Sequence, residues 1–145
     1  MGKTREGIIS FEDYQVEKVS FQKNDQYQGE DVELDLGIEA EVFLNEEGFM
    51  MVKLILNIFQ EAEEKKYPFE MEVVVLGRFS SNFDDTVDEE ELLNYQGNAL
   101  AILFPYVRAL VSTYTAISNV TPLTLPTINI NRVLHDNKGK EELEI

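Results

Sequence analysis

Val32-Glu33-Leu34-Asp35-Leu36-Gly37-Ile38-Glu39-Ala40-Glu41-Val42-Phe43-Leu44 decides the fold class. Every even position of this stretch is apolar, and Glu33, Asp35, Glu39 and Glu41 hold most of the odd ones. A period of two puts all the apolar side chains on one face of a strand and the carboxylates on the other, whereas a helix would scatter both sets around its circumference. Each large side chain fully buried on such a face contributes roughly 1.5–3 kcal/mol. A one-residue slip would turn the whole set to water, so the register is strongly specified.

Working outward, Asn45-Glu46-Glu47-Gly48 reads as a turn, with Gly48 free to take positive φ. A third strand is predicted from about Phe49 to Glu61, with Met50, Val52, Leu54, Leu56 and Ile58 on one face. Its other face carries Phe49, Met51, Ile55 and Phe59, interrupted by Lys53 and Asn57, which suits a central strand or one covered by a partner. Ala62 to Lys66 reads as a charged turn. A fourth strand follows from Tyr67 to Phe79, with Phe69, Met71, Val73, Val75 and Phe79 on one face. Gly77-Arg78 reads as a turn or bulge. Upstream, Tyr14 to Gln22 reads as a first strand whose facing is ambiguous, which suits an edge. Four strands joined by short turns imply an antiparallel meander.

The period then changes. Ser80 to Val87 is a polar loop. Asp88 to Leu93 predicts a short acidic-ended helix, and Gly97-Asn98 predicts its break. A longer helix is expected from Ala99 to Ser118, with Leu100, Leu103, Val107, Leu110, Val111 and Tyr114 recurring at spacings of three and four. Pro122 and Pro126 keep Thr121 to Pro126 extended. A short helix over Asn129 to Asn137 and a mobile tail over Lys138 to Ile145 complete a single domain spanning 1–145, flexible over about 1–10 and 138–145.

Composition excludes several functions. With 28 acidic against 12 basic residues the net charge is -16, which disfavours nucleic acid and anionic membrane surfaces and favours basic partners. There is no cysteine, so thiol nucleophiles, disulfides and zinc–thiolate sites are ruled out, and a reducing, cytoplasmic setting is expected. The opening Met-Gly-Lys-Thr-Arg-Glu lacks the apolar core of a secretory signal, and no apolar run is expected to insert in a membrane. His135 lies after the predicted core elements, the carboxylates alternate along an outer face, and no phosphate-binding glycine loop or calcium loop is present. No catalytic residue, cofactor or metal site is therefore expected, and the chain does not read as an enzyme.

The anomaly is apolar surplus. The third strand is apolar on both sides, and Ile102, Leu103, Phe104, Tyr106, Val107, Leu110 and Val111 surround the long helix. A helix apolar nearly all round must be covered nearly all round, which points to oligomerisation or a binding groove.

Ile102-Leu103-Phe104-Pro105-Tyr106-Val107-Arg108 resembles the ILFPYAR stretch of SecB export chaperones. Val19-Ser20-Phe21, Val32 to Leu36, Phe69 to Val73 with Phe79, and Pro122 to Ile130 are similar to other segments of that family, so the likeness spans residues 14 to 134. One residue is missing between Pro122 and the leucines, Ile130 replaces an aromatic, and the tail ends in Leu143-Glu144-Ile145, which makes this a divergent relative. The resemblance implies an α+β fold: a four-stranded antiparallel sheet, a long helix, an extended crossover loop and a short C-terminal helix. It implies a homotetramer, a dimer of dimers, with Phe69, Met71, Val73, Val75, Leu103, Tyr106, Val107, Leu110 and Val111 at the oligomer interface. It implies a peptide groove near Leu34, Leu36, Leu123, Leu125 and Ile130, and an acidic docking face of Glu33, Asp35, Glu39 and Glu41 for a translocase motor or another basic protein. The implied function is an ATP-independent holdase for unfolded or preprotein chains. The alternative is an oligomeric module with one dedicated partner, such as an antitoxin or a translocase component.

Overall fold

In the computed structural model, which describes residues 9–81 and 89–126, the chain forms strands β1 (Ile9–Lys23), β2 (Leu36–Leu44), β3 (Met50–Ile58) and β4 (Phe69–Ser81) and helices α1 (Ala62–Lys65) and α2 (Glu89–Ile117). The strands make one antiparallel sheet followed by the long helix, as the patterning predicts. Residues 1–8 and 82–88, the expected short helix over 129–137, the expected tail, Ile130 and His135 lie outside the described residues.

β3 and β4 alternate as read. Met50, Val52, Leu54, Leu56 and Ile58 pair across the sheet with Phe79, Gly77, Val75, Val73 and Met71, and all of these side chains are buried on one face. Asn45 closes the β2–β3 turn: its Oδ1 accepts from the N–H groups of Glu47 (3.0 Å) and Phe49 (2.9 Å), while Gly48 sits at φ 90. β2 begins at Leu36 rather than Val32; from there Leu36, Ile38, Ala40, Val42 and Leu44 face the core.

The order β1-β4-β3-β2 corrects the expected meander. β2, β3 and β4 are consecutive hairpin partners, but β1 pairs with β4, so the connection from β1 to β2 crosses one end of the sheet, a Greek-key arrangement. β1 is an edge strand, and bulges between Phe11 and Asp13 and between Val16 and Lys18 explain its ambiguous facing. Each extra residue resets the alternation, so Phe11, Tyr14, Val16, Val19 and Phe21 reach one face at spacings of three, two, three and two.

The expected break at Gly97-Asn98 does not occur: α2 is one helix of 29 residues. Glycine costs a helix about 1 kcal/mol against alanine, but Leu92 and Tyr95 before it and Ala99 and Leu100 after it pack on the core and hold that turn in place. Pro105 lies inside the helix on its exposed side, as does Ala101, whose carbonyl the proline leaves unbonded; water can satisfy it there. Continuity also changes the membrane reading. By length and composition alone Glu90–Ile117 could cross a bilayer. Its inner face instead packs on the sheet, with Leu100, Leu103, Val107 and Val111 at 0% exposure.

Gly77 is neither turn nor bulge. It lies within β4 where the helix presses on the sheet, and a Cβ there would stand 2.7 Å from Leu103 Cδ2 and 2.9 Å from Cδ1.

The connection between β3 and β4 carries three left-handed residues, Phe59, Glu61 and Lys66. Such backbone persists only when its surroundings hold it. The Phe59 ring is buried between Tyr67 and Phe69, at centroid distances of 4.7 and 5.2 Å. Asn24, buried at the end of β1, donates from Nδ2 to the carbonyls of Ala62 (3.1 Å) and Tyr67 (2.9 Å). Replacing Asn24 with leucine takes a donor from both carbonyls; Ala62 keeps the Tyr67 N–H at 2.9 Å, so the main cost falls on the Tyr67 carbonyl, at about 1–3 kcal/mol where water cannot reach. The expected result is a clear fall in the urea midpoint at unchanged slope; an unchanged midpoint would show that solvent takes over the Tyr67 carbonyl.

Candidate polypeptide-binding surface

Three surfaces surround this core, each set by how the helix and the connections lie on the sheet. The first is at the end of the sheet where β1 stops, β4 starts and α2 runs out. Asn119 ends the helix in the left-handed conformation, at φ 61, and turns the chain back. Lys23, Asn24, Asp25, Tyr27, Pro68, Phe69, Asn119, Val120 and Thr121 enclose an open cleft of about 610 Å³ there. Its accessible apolar walls are Pro68 and Val120, with the buried Phe69 beneath them; its polar rim is Lys23, Asp25, Tyr27 and Thr121.

The second surface is the crossover segment, which leaves the bend at Val120 and runs to Pro126 outside any helix or strand. The Leu123 N–H donates to Thr115 Oγ1 (2.9 Å), and Arg108 Nε donates to the Leu125 carbonyl (3.2 Å). The segment therefore returns along α2 toward its N-terminus. Of the expected groove residues, Leu34 is exposed just ahead of β2, while Leu36 and Leu123 are half-buried against the core. Leu125 is 0% exposed, so as the chain stands it cannot line an open groove.

The third surface is the outer side of α2. Ile102 and Tyr106 are each 37% exposed, Ile117 is 74% exposed, and Pro105, Ala109 and Tyr114 lie on the open side as well. This corrects the expected interface. Phe69, Met71, Val73, Val75, Leu103, Val107 and Val111 are at most 2% exposed within a single chain. They form the seam between the sheet and its own helix and have no surface to offer a partner. Of the nine, only Tyr106 and Leu110 remain accessible. Tyr106 packs on β1, 4.4 Å from the ring of Tyr14 and 5.8 Å from that of Phe11.

The expected acidic face also divides. Glu39 and Glu41 point outward from β2, opposite Ile55 and Lys53. Glu33 precedes the strand. Asp35 is committed locally, accepting from the Tyr67 hydroxyl at 2.8 Å and lying 3.8 Å from Lys65 Nζ. That bond to the Asp35 carboxylate holds the Tyr67 phenol above its ordinary pKa. The cations of the outer sheet face are paired: Lys18 with Glu72 (2.6 Å), Lys53 with Glu17 (3.4 Å), and Arg78 with Asp13 (3.2 Å) while lying over the Phe49 ring. Glu39 and Glu41 have no ion pair among the described residues, so this face keeps an acidic surplus. Among the described residues no cluster of histidine or carboxylates is arranged to hold a metal ion.

Two site residues escaped the sequence reading. Thr115 is a buried polar residue on the inner face of an apolar helix, and Arg108 is the only charge between Leu92 and Pro126. Both anomalies are visible in the sequence, but what they bond becomes apparent only once the crossover segment lies on the helix.

A family model described as SecB, preprotein translocase subunit SecB, matches residues 8–141. An uncharacterized protein of Methanocaldococcus jannaschii is 31% identical over 146 residues, covering 94% of this chain and 93% of that protein. A Mycobacterium tuberculosis SecB-like chaperone, solved in complex with a ChAD peptide from the HigA1 antitoxin, shares the fold with a TM-score of 0.67, covering 83% of this chain and 91% of that chain at 22% identity.

Proposed function

The chain belongs to the SecB family, and from that premise we propose that it is an ATP-independent holdase that binds extended, non-native polypeptide segments in the cytoplasm, without catalysis. The observation that carries this reading is the open cleft with Pro68 and Val120 as its accessible apolar walls, continuous in sequence with the crossover segment and set in a protein of net charge -16. Apolar client segments gain roughly 25 cal/mol per Å² buried, less the cost of ordering them. The negative field concentrates Lys- and Arg-rich segments and speeds their capture. The peptide bound to the mycobacterial neighbour supports a polypeptide as ligand. Glu39 and Glu41 supply a docking face for a basic partner such as a translocase motor. The outer side of α2 from Ile102 to Ile117, which carries Ile102, Tyr106, Ala109 and Tyr114, supplies the contact for a homotetramer built as a dimer of dimers.

Light scattering of an unfolding, cysteine-free client tests the holdase. Molar excess of the protein should suppress aggregation of several unrelated clients. Near 1 M salt the Debye length falls to about 3 Å, so capture should slow while affinity falls less. Equal aggregation with and without the protein would leave the dedicated-partner module as the better reading.

A further inference from the structure

Between Val120 and Pro126 the chain belongs to no helix or ladder, and Pro122 and Pro126 offer no N–H with which to join one. Two side chains of α2 hold this strap, and both bond to its main chain: Thr115 Oγ1 accepts from the Leu123 N–H, and Arg108 Nε donates to the Leu125 carbonyl. Arg108 and Thr115 are seven residues apart, so they stand on one face of the helix about 10.5 Å apart along its axis. Val111 lies between them on that face and is 0% exposed, and Leu125 joins the same buried cluster as Val111, Val107 and Phe104. The Thr115 hydroxyl donates to the Val111 carbonyl at 2.8 Å, which commits its proton and leaves its lone pairs to accept from the strap.

Neither bond reads the identity of Leu123 or Leu125. The seat asks for an extended N–H, a carbonyl two residues later, and an apolar side chain on that second residue. Those are properties of any extended apolar segment. We infer that the seat of Leu125 is a binding site for an extended, leucine-bearing peptide segment, read through its main chain by Thr115 and Arg108, and that the chain's own strap occupies it as a stand-in ligand. This inference rests on the polypeptide-binding reading above. A client reaches the seat only in the fraction of molecules whose strap has lifted, and its apparent affinity is reduced by that fraction.

The probe is a synthetic peptide with the strap's own sequence, residues 120–126, and a control peptide with serine in place of its second leucine. Leu125→Ser weakens the strap without altering Thr115, Arg108 or the core wall. The variant should bind the first peptide at least about tenfold more tightly than the wild type does, and Thr115→Val added to it should reverse most of the gain. A groove wall at Leu125 predicts the opposite sign. Equal binding by wild type and variant, or equal binding of both peptides, would overturn the site. Should Leu125→Ser fail to fold, hydrogen exchange on the wild type decides: excess peptide should speed exchange of the Leu123 amide, and unchanged exchange counts against displacement. If the peptide binds while client aggregation is unaffected, the seat stands and the holdase falls; if clients are held while the peptide is ignored, the reverse is true.

Discussion

Alanine at Gly77 is expected to destabilise the protein by about 1–3 kcal/mol, the usual range for an overpacked core, and valine to leave little folded material. The reason is local. Gly77 pairs with Val52 in the middle of the sheet, and its missing side chain admits Leu103 from α2. An added Cβ would meet Leu103 Cδ2 at 2.7 Å and Phe79 Cε1 at 3.0 Å. A leucine tip can rotate away only at the cost of its own packing, and Leu103 is 0% exposed within the core. Leu103→Ala alone should cost about 2–5 kcal/mol through the cavity it leaves. In the double variant the new methyl partly fills that cavity, so the combined loss should fall short of the sum by about 0.5–3 kcal/mol. Urea midpoints at one fixed protein concentration measure all four corners, since association would make stability concentration-dependent. A Gly77→Ala protein as stable as the wild type would mean that the Leu103 side chain turns aside to admit the methyl without loss of packing.

Ile102→Glu combined with Ala109→Glu is expected to break the proposed tetramer into smaller, folded species. Both residues lie on the open side of α2, where a lone protomer can hydrate the new carboxylates at little cost. Across a closed interface the same carboxylates would be buried without partners, at about 3–5 kcal/mol for an unpaired charge, which is roughly two to four orders of magnitude in a dissociation constant. Val111→Glu provides the contrast. Val111 is sealed inside the protomer at 0% exposure, so its replacement should unfold the chain rather than dissociate the assembly. Light scattering for mass and circular dichroism for helix content separate the two outcomes. A wild type at monomer mass at micromolar concentration would remove the tetramer from the proposal.

These variants also mark how much of the candidate site was legible in the residues. The apolar surplus around the long helix is plain from Leu100 to Tyr114, and it correctly signals more apolar surface than an exposed helix needs. Which of those side chains meet the protomer's own sheet depends on the helix's rotation about its axis. That rotation is set where Leu103 enters the gap above Gly77, 26 positions earlier in the chain and in β4. Leu125 is similar: an alternating Leu-Thr-Leu next to prolines marks an extended apolar segment, but only the bonds to Thr115 and Arg108 turn it inward.

The sequence by itself determined the period-two sets of β2, β3 and β4, hence which of their faces is apolar, as well as the turn at Asn45, the long helix and the acidic surplus. Each of these is a local constraint, because side-chain alternation and turn chemistry act between near neighbours along the chain. Only the tertiary structure decided that β1 pairs with β4, that two bulges bring Phe11, Tyr14, Val16, Val19 and Phe21 to one face, that α2 runs unbroken through Gly97, and that Leu125 lies in the core. Those outcomes are fixed by partners distant in sequence. A bulge is defined by the strand opposite it, and a glycine in a helix is tolerated when the residues on either side are buried against something else.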